Sequence, residues 1–433
     1  SVLTCVSVDH LAEEILNRDL SYPGGSGTFA EVTKHWALAY AADKKIDPVL
    51  TSHCQDCEFK APLGDAMRSG FHECWRQKLN WTDADFQEGT VLDIWNLKGK
   101  DKLLDQGIYK LKQVQADDLK VTEHAQGEIT SAQRQWMQVD GLPEESRSRG
   151  FYLDNHGLAH EMRAWKYPIH FIDFETAAAA LPFHSGRRPY EQVGFQFSHH
   201  VLNEDGTLIH ANQFLFDTPG EFPNYDFVRA LREALRHDEG TVTRWSYHEN
   251  TILEAIKAQL IEESDPPSDR TVLISFIDSI TTGGERAMVD LAKVAKQRYF
   301  HPSTKGSNSI KKVLPAVLSH SVYLGETYKN PIYGAVGGIA SLNFQDMTWW
   351  SQDSNGKVID PYELLITQLD GLDGDVIQAE SINQGGAASY AYLKLQYEDL
   401  TDRERESLRS GLLRYCELDT LAMAFIVQAW TKG

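Results

Sequence analysis

The spacing of apolar residues divides the chain into a helical first part and a later part in which strands and helices alternate. In the first 150 residues, segments 8–16, 29–42 and 64–79 space their apolar residues three and four positions apart, which predicts helices. Residues 101–138 predict short helices joined by polar turns. An irregular segment begins at Gly141, and we expect a domain boundary near residue 160.

From Tyr167 onward the pattern predicts strands. The stretches YPIHFIDFE, VGFQFSHHVL and TLIHANQFLF, with a turn at Asn203, predict a three-stranded antiparallel meander. A helix over 226–236, a strand in TVTRWSY and a helix over 249–262 follow, and 403–430 predicts a long amphipathic helix. This order predicts an α/β domain with a mixed sheet.

Composition narrows the class of protein. The 433 residues, 42% of them hydrophobic, are enough to bury more than one core. The net charge of -20 disfavours a protein coated in phosphate-binding surface, but it is compatible with a nuclease that binds cations through carboxylates. The five cysteines do not indicate a disulfide framework, and we find no long apolar run and no secretion signal. We therefore expect a soluble, cytoplasmic protein without a membrane partner.

Acidic residues stand out at three places. Asp173 and Glu175 in FIDFET lie two apart on a predicted strand, so their side chains share a face. Glu249 in WSYHENTIL stands where a strand ends and a helix begins, and Tyr415 and Asp419 lie four apart on the last helix. Each place alone has a structural interpretation: a solvated strand face, a first-turn acid, and a buried hydrogen-bonded acid.

Taken together, the three motifs resemble the DnaQ-like, or DEDD, exonucleases. The resemblance implies a ribonuclease-H-like mixed sheet flanked by helices. Tyr415 stands four residues before Asp419, and Arg414 occupies the position where the other subclass has histidine, so the tyrosine subclass is implied. Glu249 departs from the family, which usually carries aspartate at that position.

The resemblance also implies a 3′–5′ exonuclease that hydrolyses phosphodiester bonds of single-stranded nucleic acid. Asp173, Glu175, Glu249 and Asp419 would hold two Mg²⁺ or Mn²⁺ ions, and Tyr415 would orient the attacking water. The expected partner is single-stranded DNA or a 3′ end, although the sequence does not separate DNA from RNA. The alternative is a catalytically impaired module that binds nucleic-acid ends in a DNA repair or phage-defence complex.

Substrate contacts are predicted from two further segments. A loop after the first acid pair combines arginines, a tyrosine and amides, which suit phosphate and base contacts, although a solvated basic turn fits equally well. Two lysines in GSNSIKKVLP oppose the dipole of a helix, which indicates a nearby anion, and this stretch resembles a groove-lining helix of the family. The predicted substrate-binding residues are Arg187, Arg188, Tyr190, Gln192, Gln196, Lys311 and Lys312.

The stretch from Asp173 to Asp419 is longer than in compact members of the family that the motifs resemble, so the resemblance implies an insertion between residues 323 and 386. Its glycine-rich end, with Asn383 and Gly385, is interpreted as structural, and a border with the substrate strand is the alternative.

A cysteine cluster marks the N-terminal part. Cys54-x-x-Cys57, followed by Cys74, can present thiolates to one ion or cluster, with Cys5 as a fourth ligand or a histidine at 53 or 72 giving zinc. Cys416 on the last helix is interpreted as a small core residue. The cluster, closed by GFHECW, resembles the C-terminal end of RecB-like nucleases that carry an iron–sulfur cluster, and implies a remnant of one with an iron–sulfur cluster or Zn²⁺.

Three regions follow from these arguments. We expect residues 1–80 to form the helical cysteine-cluster module and residues 81–160 a helical connecting region, and the resemblance implies a DnaQ-like exonuclease domain with an insertion over residues 161–433. The combination resembles an uncharacterised bacterial family known only as a domain of unknown function.

Overall fold

The computed structural model describes residues 5–22, 25–122, 128–182, 184–369 and 386–432. The chain forms two compact units: Ser1–Val121 with Gln135–Gly141, and Thr122–Arg134 with Leu142–Gly433. Within the described ranges, none of the helices combines the length and the apolar composition that a bilayer span requires.

Short helices and tight turns build the first unit. Strands β1 (Asp19–Tyr22) and β2 (Gly25–Thr28) form an antiparallel hairpin. The hydrophobic core of this unit includes Trp75, which is fully buried and belongs to the same cluster as Phe71 and Val91. The α-helices are α1 (Asp9–Asn17), α2 (Phe29–Ala41), α3 (Gly70–Leu79), α4 (Asp83–Gln87) and α5 (Lys100–Asp105), and 3-10 helices lie at Ser52–Asp56, Val91–Asp93, Leu111–Gln113 and Ala116–Leu119.

Helix α3 begins later than the apolar spacing predicts. The pattern predicts a helix over 64–79, but α3 begins at Gly70. Ser69 is its N-cap, and the Ser69 hydroxyl accepts a hydrogen bond from the backbone amide of His72. Because a capping serine takes extended backbone and marks where the helix starts, residues 64–68 stay outside it.

A five-stranded mixed sheet forms the centre of the second unit, next to a small pair made by β3 (Tyr152–Leu153) and β9 (Tyr299–Phe300). The sheet strands lie in the spatial order β6-β5-β4-β7-β8. Strands β4, β5 and β6 are antiparallel neighbours, whereas β7 and β8 run parallel to β4. The predicted meander and the mixed sheet are confirmed. The strands are β4 (Ile169–Ala177), β5 (Val193–Leu202), β6 (Leu208–Leu215), β7 (Val242–Arg244) and β8 (Val289–Asp290).

Helices make up most of the remaining regular structure. A 3-10 helix lies at Pro302–Thr304. The α-helices are α6 (Ser131–Val139), α7 (Glu144–Arg147), α8 (Asn155–Met162), α9 (Asn224–Leu235), α10 (His248–Glu262), α11 (Arg270–Ile280), α12 (Leu291–Arg298), α13 (Ile310–His320), α14 (Val322–Tyr328), α15 (Pro361–Leu369), α16 (Gly386–Tyr397) and α17 (Asp402–Lys432).

Alternate residues of β4 face two hydrophobic layers. Ile172 and Phe174 belong to the cluster formed with α9, α10 and α11. Phe171 belongs to the cluster that contains residues of α13 and α17. Because residues two apart on a strand share a face, Asp173 and Glu175 lie on the side of Phe171. The sheet therefore presents both acids to the layer that contains α17.

Polar contacts fix α17 against the sheet. The Thr420 hydroxyl lies 2.7 Å from the Ser198 hydroxyl and 2.7 Å from Nδ1 of His200. The Gln196 side-chain amide donates to the carbonyl of Leu412 over 2.7 Å. Such directional bonds set the position of a helix on a sheet more narrowly than apolar contacts do.

Glu417 on α17 makes four polar contacts with surrounding segments. Its carboxylate accepts hydrogen bonds from Tyr333 and Ser341, each over 2.5 Å, and from the Asn343 amide over 2.7 Å. Nδ1 of His210 lies 3.1 Å away. Burial acts to raise the pKa of Glu417, but the hydrogen bonds outweigh it and hold that pKa below its usual value. Glu417 is therefore a buried, ionised anchor between α17 and the segment 333–343.

We predict that Glu417→Gln destabilises the second unit by roughly 3 kcal/mol, because an amide group would face donors that need an acceptor. Thermal unfolding of wild type and variant measures the effect. Glu406→Gln, which changes an exposed acid of the same helix, is the matched control and should leave the midpoint almost unchanged. Equal midpoints for Glu417→Gln and wild type would contradict the anchoring role.

Candidate metal centre

Strand β4 delivers the first two acids. Asp173 and Glu175 face α17, and their Cα partners on β5 are Ser198 and Gln196. The pairing register shifts directly after Glu175. Such bulges bend a strand and re-aim its side chains. Glu175 is only 8% exposed, so its carboxylate needs a compensating charge or donors.

Helix α10 supplies the third acid. Glu249 lies in its first turn and is 1% exposed, and Glu249 Oε2 has no hydrogen-bond partner in the described part of the chain. Burial raises the pKa of Glu249 to about 8, although the backbone amides of Glu249 and Phe174 and the charge of Arg244 act against that rise. A buried carboxylate oxygen without a donor is an atom that a cation would satisfy.

Helix α17 supplies the fourth acid. Asp419 is buried, and its Oδ1 accepts a hydrogen bond from the Tyr362 hydroxyl on α15. Burial raises the pKa of Asp419 to about 6, while the Tyr362 hydrogen bond and the charge of Lys311 act to lower it. Asp419 therefore joins the acids of β4 with one oxygen held by a neutral donor.

Lys311 brings positive charge to the acids. From the first turn of α13, its ammonium group donates to the Tyr415 hydroxyl over 2.7 Å. The same Nζ lies 5.2 Å from the centroid of the Tyr415 ring and 5.3 Å from that of Tyr362. Burial and the nearby acids raise the pKa of Tyr415, so its hydroxyl keeps its proton at neutral pH.

Cys416 is also part of the cluster. The sequence predicts that Cys416 is a small core residue, and the residue is fully buried. Its Sγ also lies 3.8 Å from Asp173 Oδ2. Burial and the charges of Asp173, Glu175 and Asp419 raise the pKa of the Cys416 thiol. The thiol thus borders the carboxylates.

Burial is the largest influence on the pKa of each of the four acids, and repulsion by neighbouring acids adds to it at Asp173 and Glu175. Burial, followed by the charge of Asp419, raises the pKa values of Asp173 and Glu175 well above normal. The charge of Glu249 contributes to both shifts, so Glu249 interacts electrostatically with Asp173 and Glu175. Buried carboxylates that repel each other bind protons or cations, and hard divalent cations prefer oxygen ligands. The arrangement therefore fits Mg²⁺ or Mn²⁺.

The arginine loop lies apart from these acids. Arg187 donates to Glu263 over 2.6 Å and stacks on Phe222, and Arg188 donates to Glu262 over 2.9 Å. Glu262 ends α10, thirteen residues after Glu249, which corresponds to about 20 Å along the helix. A nucleic-acid strand that contacted both the arginine loop and Glu249 would therefore have to extend over about 20 Å.

Of the other predicted substrate-binding residues, some belong to the arginine loop and some lie near the acids. Tyr190 is exposed, and the Gln192 carbonyl accepts bonds from the side-chain amides of Asn224 and Gln259. Gln196 is buried opposite Glu175 and binds α17. Lys312 is exposed next to Lys311.

Asn383 and Gly385 lie outside the described residues.

The cysteines of the first unit are partly gathered. Cys54, Cys57 and Cys74 pack at the edge of its core, and burial, followed by the charges of Cys54 and Cys57, raises the pKa of Cys74. Cys5 is exposed.

A different group of potential metal ligands lies in the second unit. Among the described residues, the ligand atoms of Asp173, Glu175 and Cys416 all lie within 4.8 Å of one another.

Tyr362 and the pair Arg244 and Asp290 are site residues that the sequence reasoning missed. Tyr362 comes from the predicted insertion, where no motif marks it. Arg244 lies at the end of β7, and Asp290 caps α12. Their charges act in opposite directions on the pKa of Glu249. Arg244 lies in the predicted strand TVTRWSY, five residues before Glu249, and this spacing is the sequence signal that could have identified it.

Comparisons with known proteins give one partial match. A family model described as "Domain of unknown function (DUF2779)" matches residues 170–309, less than half of the chain. This range includes Asp173, Glu175 and Glu249 but ends before Asp419. No curated protein and no solved structure gives a significant match.

We predict that Glu249→Gln stabilises the metal-free protein at pH 7.5. A glutamate in the unfolded chain ionises near its usual pKa of 4.5, whereas folded Glu249 has a pKa of about 8, so its stability contribution falls as pH rises between these values. A gain of about 1 kcal/mol, or roughly 2–4 °C in Tm, is expected in EDTA at pH 7.5, and a smaller one at pH 5.

Glu254→Gln, an exposed change on the same helix, is the control. Added Mn²⁺ should reverse the order, because only the wild type keeps the full set of ligands. A Glu249→Gln variant that melts below the wild type in EDTA at both pH values would contradict this account.

Proposed function

We propose that the second unit is a metal-dependent 3′–5′ exonuclease that hydrolyses phosphodiester bonds in single-stranded nucleic acid. The observation that carries the proposal is that β4, α10 and α17 bring together four acids, three of them buried and Asp173 half-buried. Among the described residues, Glu249 Oε2 has no hydrogen-bond partner. Two bound Mg²⁺ or Mn²⁺ ions would supply Lewis-acid stabilisation of the attacking and leaving oxygens.

Each side chain has a role in this proposal. Asp173, Glu175, Glu249 and Asp419 hold the cations, and Asp173 is central because all three other acids act on its pKa. Tyr415 keeps its proton and holds its hydroxyl beside the acids, where it can orient a water molecule. The Tyr415 hydroxyl already accepts a hydrogen bond from the Lys311 ammonium group, and this bond orients the hydroxyl.

The fold supports the proposal. Three antiparallel strands are followed by two strands parallel to the first, with helices on both sides, which is the arrangement expected for a ribonuclease-H-like sheet. The acid pair lies on the central strand β4, and the closing helix α17 packs on the same face. The polarity of attack comes from the resemblance of the motifs to DnaQ-like exonucleases.

Mutation of Asp173 tests this function. With Mn²⁺ and 5′-labelled single strands of DNA and RNA, the wild type should give a ladder of shortened products. Asp173→Ala should lower the rate by at least about a thousandfold, because it removes the carboxylate on which all three other acids act. Asp265→Ala, an exposed change in the same unit, should keep the wild-type rate.

A different result would favour the binding module. If the wild type binds these strands but releases no nucleotides with Mn²⁺ or Mg²⁺, the exonuclease proposal is wrong. The second unit would then recognise nucleic-acid ends without cutting them.

For the first unit we propose an iron–sulfur cluster or Zn²⁺ held by Cys54, Cys57 and Cys74 with Cys5. All three of Cys54, Cys57 and Cys74 pack against the core of the first unit, and the charges of Cys54 and Cys57 act on the pKa of Cys74, which supports this proposal. Anaerobically purified protein should contain about four iron atoms, with visible absorption, or about one zinc per chain. Cys57→Ser should lose most of that metal. Wild-type protein with neither metal above background would contradict the proposal.

A further inference from the structure

The carboxylate cluster contains a sulfur atom. Cys416 follows Tyr415 on α17, and its thiol lies 3.6 Å from the backbone carbonyl of Asp173 and 3.8 Å from Asp173 Oδ2. The ligand atoms of Asp173, Glu175 and Cys416 all lie within 4.8 Å of one another. Two hard oxygen ligands and one soft sulfur ligand therefore face one small volume.

Bond lengths allow one ion to contact both Cys416 and Asp173. Zinc binds sulfur at about 2.3 Å and carboxylate oxygen at about 2.0–2.2 Å, so two ligand atoms up to about 4.4 Å apart can share an ion. The separation of Cys416 Sγ from Asp173 Oδ2 lies within that limit.

Glu249 provides an independent sign that a cation binds here. Its Oε2 is buried and has no hydrogen-bond partner in the described ranges, and its charge acts on both Asp173 and Glu175. Glu249 is therefore a buried carboxylate that interacts electrostatically with two members of the mixed group.

Sulfur changes which metals the group prefers. Carboxylates alone suit Mg²⁺ and Mn²⁺, whereas thiolates select zinc and other soft cations. A site that combines both ligand types gains affinity for zinc without losing its oxygen ligands. Binding of the cation releases the thiol proton to solvent, as in other metal–thiolate sites.

We propose that Asp173, Glu175 and Cys416 form a mixed oxygen–sulfur site for zinc, and that zinc bound there excludes the catalytic Mg²⁺ or Mn²⁺ and inhibits hydrolysis. Zinc binding follows from the ligand geometry alone, whereas the inhibition rests on the proposed nuclease function. Cys416 is then a regulatory ligand of the site.

A purely structural thiol is the competing explanation. In that case Cys416 only donates a hydrogen bond to Asp173, and serine would do the same. Cys416→Ser is therefore a suitable variant, because it keeps a donor of similar shape and removes the soft ligand.

Cadmium titration of the full chain tests the site without activity. Cd²⁺ replaces zinc and gives an ultraviolet charge-transfer band with thiolate ligands. EDTA-treated wild type should show a binding phase that is lost in Cys416→Ser and weakened at least about tenfold in Asp173→Asn, which keeps the side-chain volume. Cys74→Ser, which changes a cysteine of the first unit, should keep this phase.

Either ligand variant can overturn the site. A Cys416→Ser titration equal to that of the wild type overturns it. If Cys416→Ser fails to fold by circular dichroism, Asp173→Asn decides alone, and an unchanged cadmium phase in that variant overturns the site.

Zinc inhibition tests the regulatory part. Nucleotide release with Mn²⁺ is measured at increasing Zn²⁺, relative to the zinc-free rate of each protein. Half-inhibition should need at least about tenfold more zinc in Cys416→Ser than in the wild type. Equal half-inhibition in both proteins overturns the regulatory role.

The two proposals fail in different ways. If no nucleotides are released with Mn²⁺ but the cadmium phase depends on Cys416, the nuclease function is wrong and the zinc site is supported. If nucleotides are released but the cadmium phase is the same in Cys416→Ser as in the wild type, the proposed zinc site is wrong and the proposed nuclease function is unaffected.

Discussion

The desolvation of four neighbouring carboxylates is the energetic cost that the site has to offset. Asp173, Glu175, Glu249 and Asp419 come from three segments of the chain. Burial raises the pKa of all four, and the charges of neighbouring acids add to the rise at Asp173 and Glu175. Tyr362 and Lys311 offset part of the cost, because one donates to Asp419 and the other brings positive charge. Cations are the natural partner for the remaining negative charge.

The position of α17 determines whether these acids meet. Thr420 binds Ser198 on the sheet, Gln196 binds the helix at Leu412, and Glu417 accepts four polar contacts from surrounding segments. These bonds flank Asp419 on both sides along the helix. The buried polar network is therefore the structural basis for an acid that has to be placed accurately opposite β4.

The sequence predicts the acids better than it predicts their surroundings. Alternation on β4 and the four-residue spacing on α17 are local patterns, so Asp173 with Glu175, and Tyr415 with Asp419, follow from them. Tyr362 and Cys416 do not, because their roles depend on contacts between segments far apart in the chain. The partners of Arg187 and Arg188 are equally distant in sequence, at Glu263 and Glu262. The start of α3 at Gly70 depends on one capping hydroxyl that apolar spacing does not reveal.

The most direct measurement is the anomalous diffraction of a crystal of this protein grown with Mn²⁺. The account predicts manganese peaks within about 2.3 Å of carboxylate oxygens of Asp173 and its neighbours Glu175, Glu249 and Asp419. A map without manganese among these acids, at a concentration that fills other sites on the protein, would contradict it.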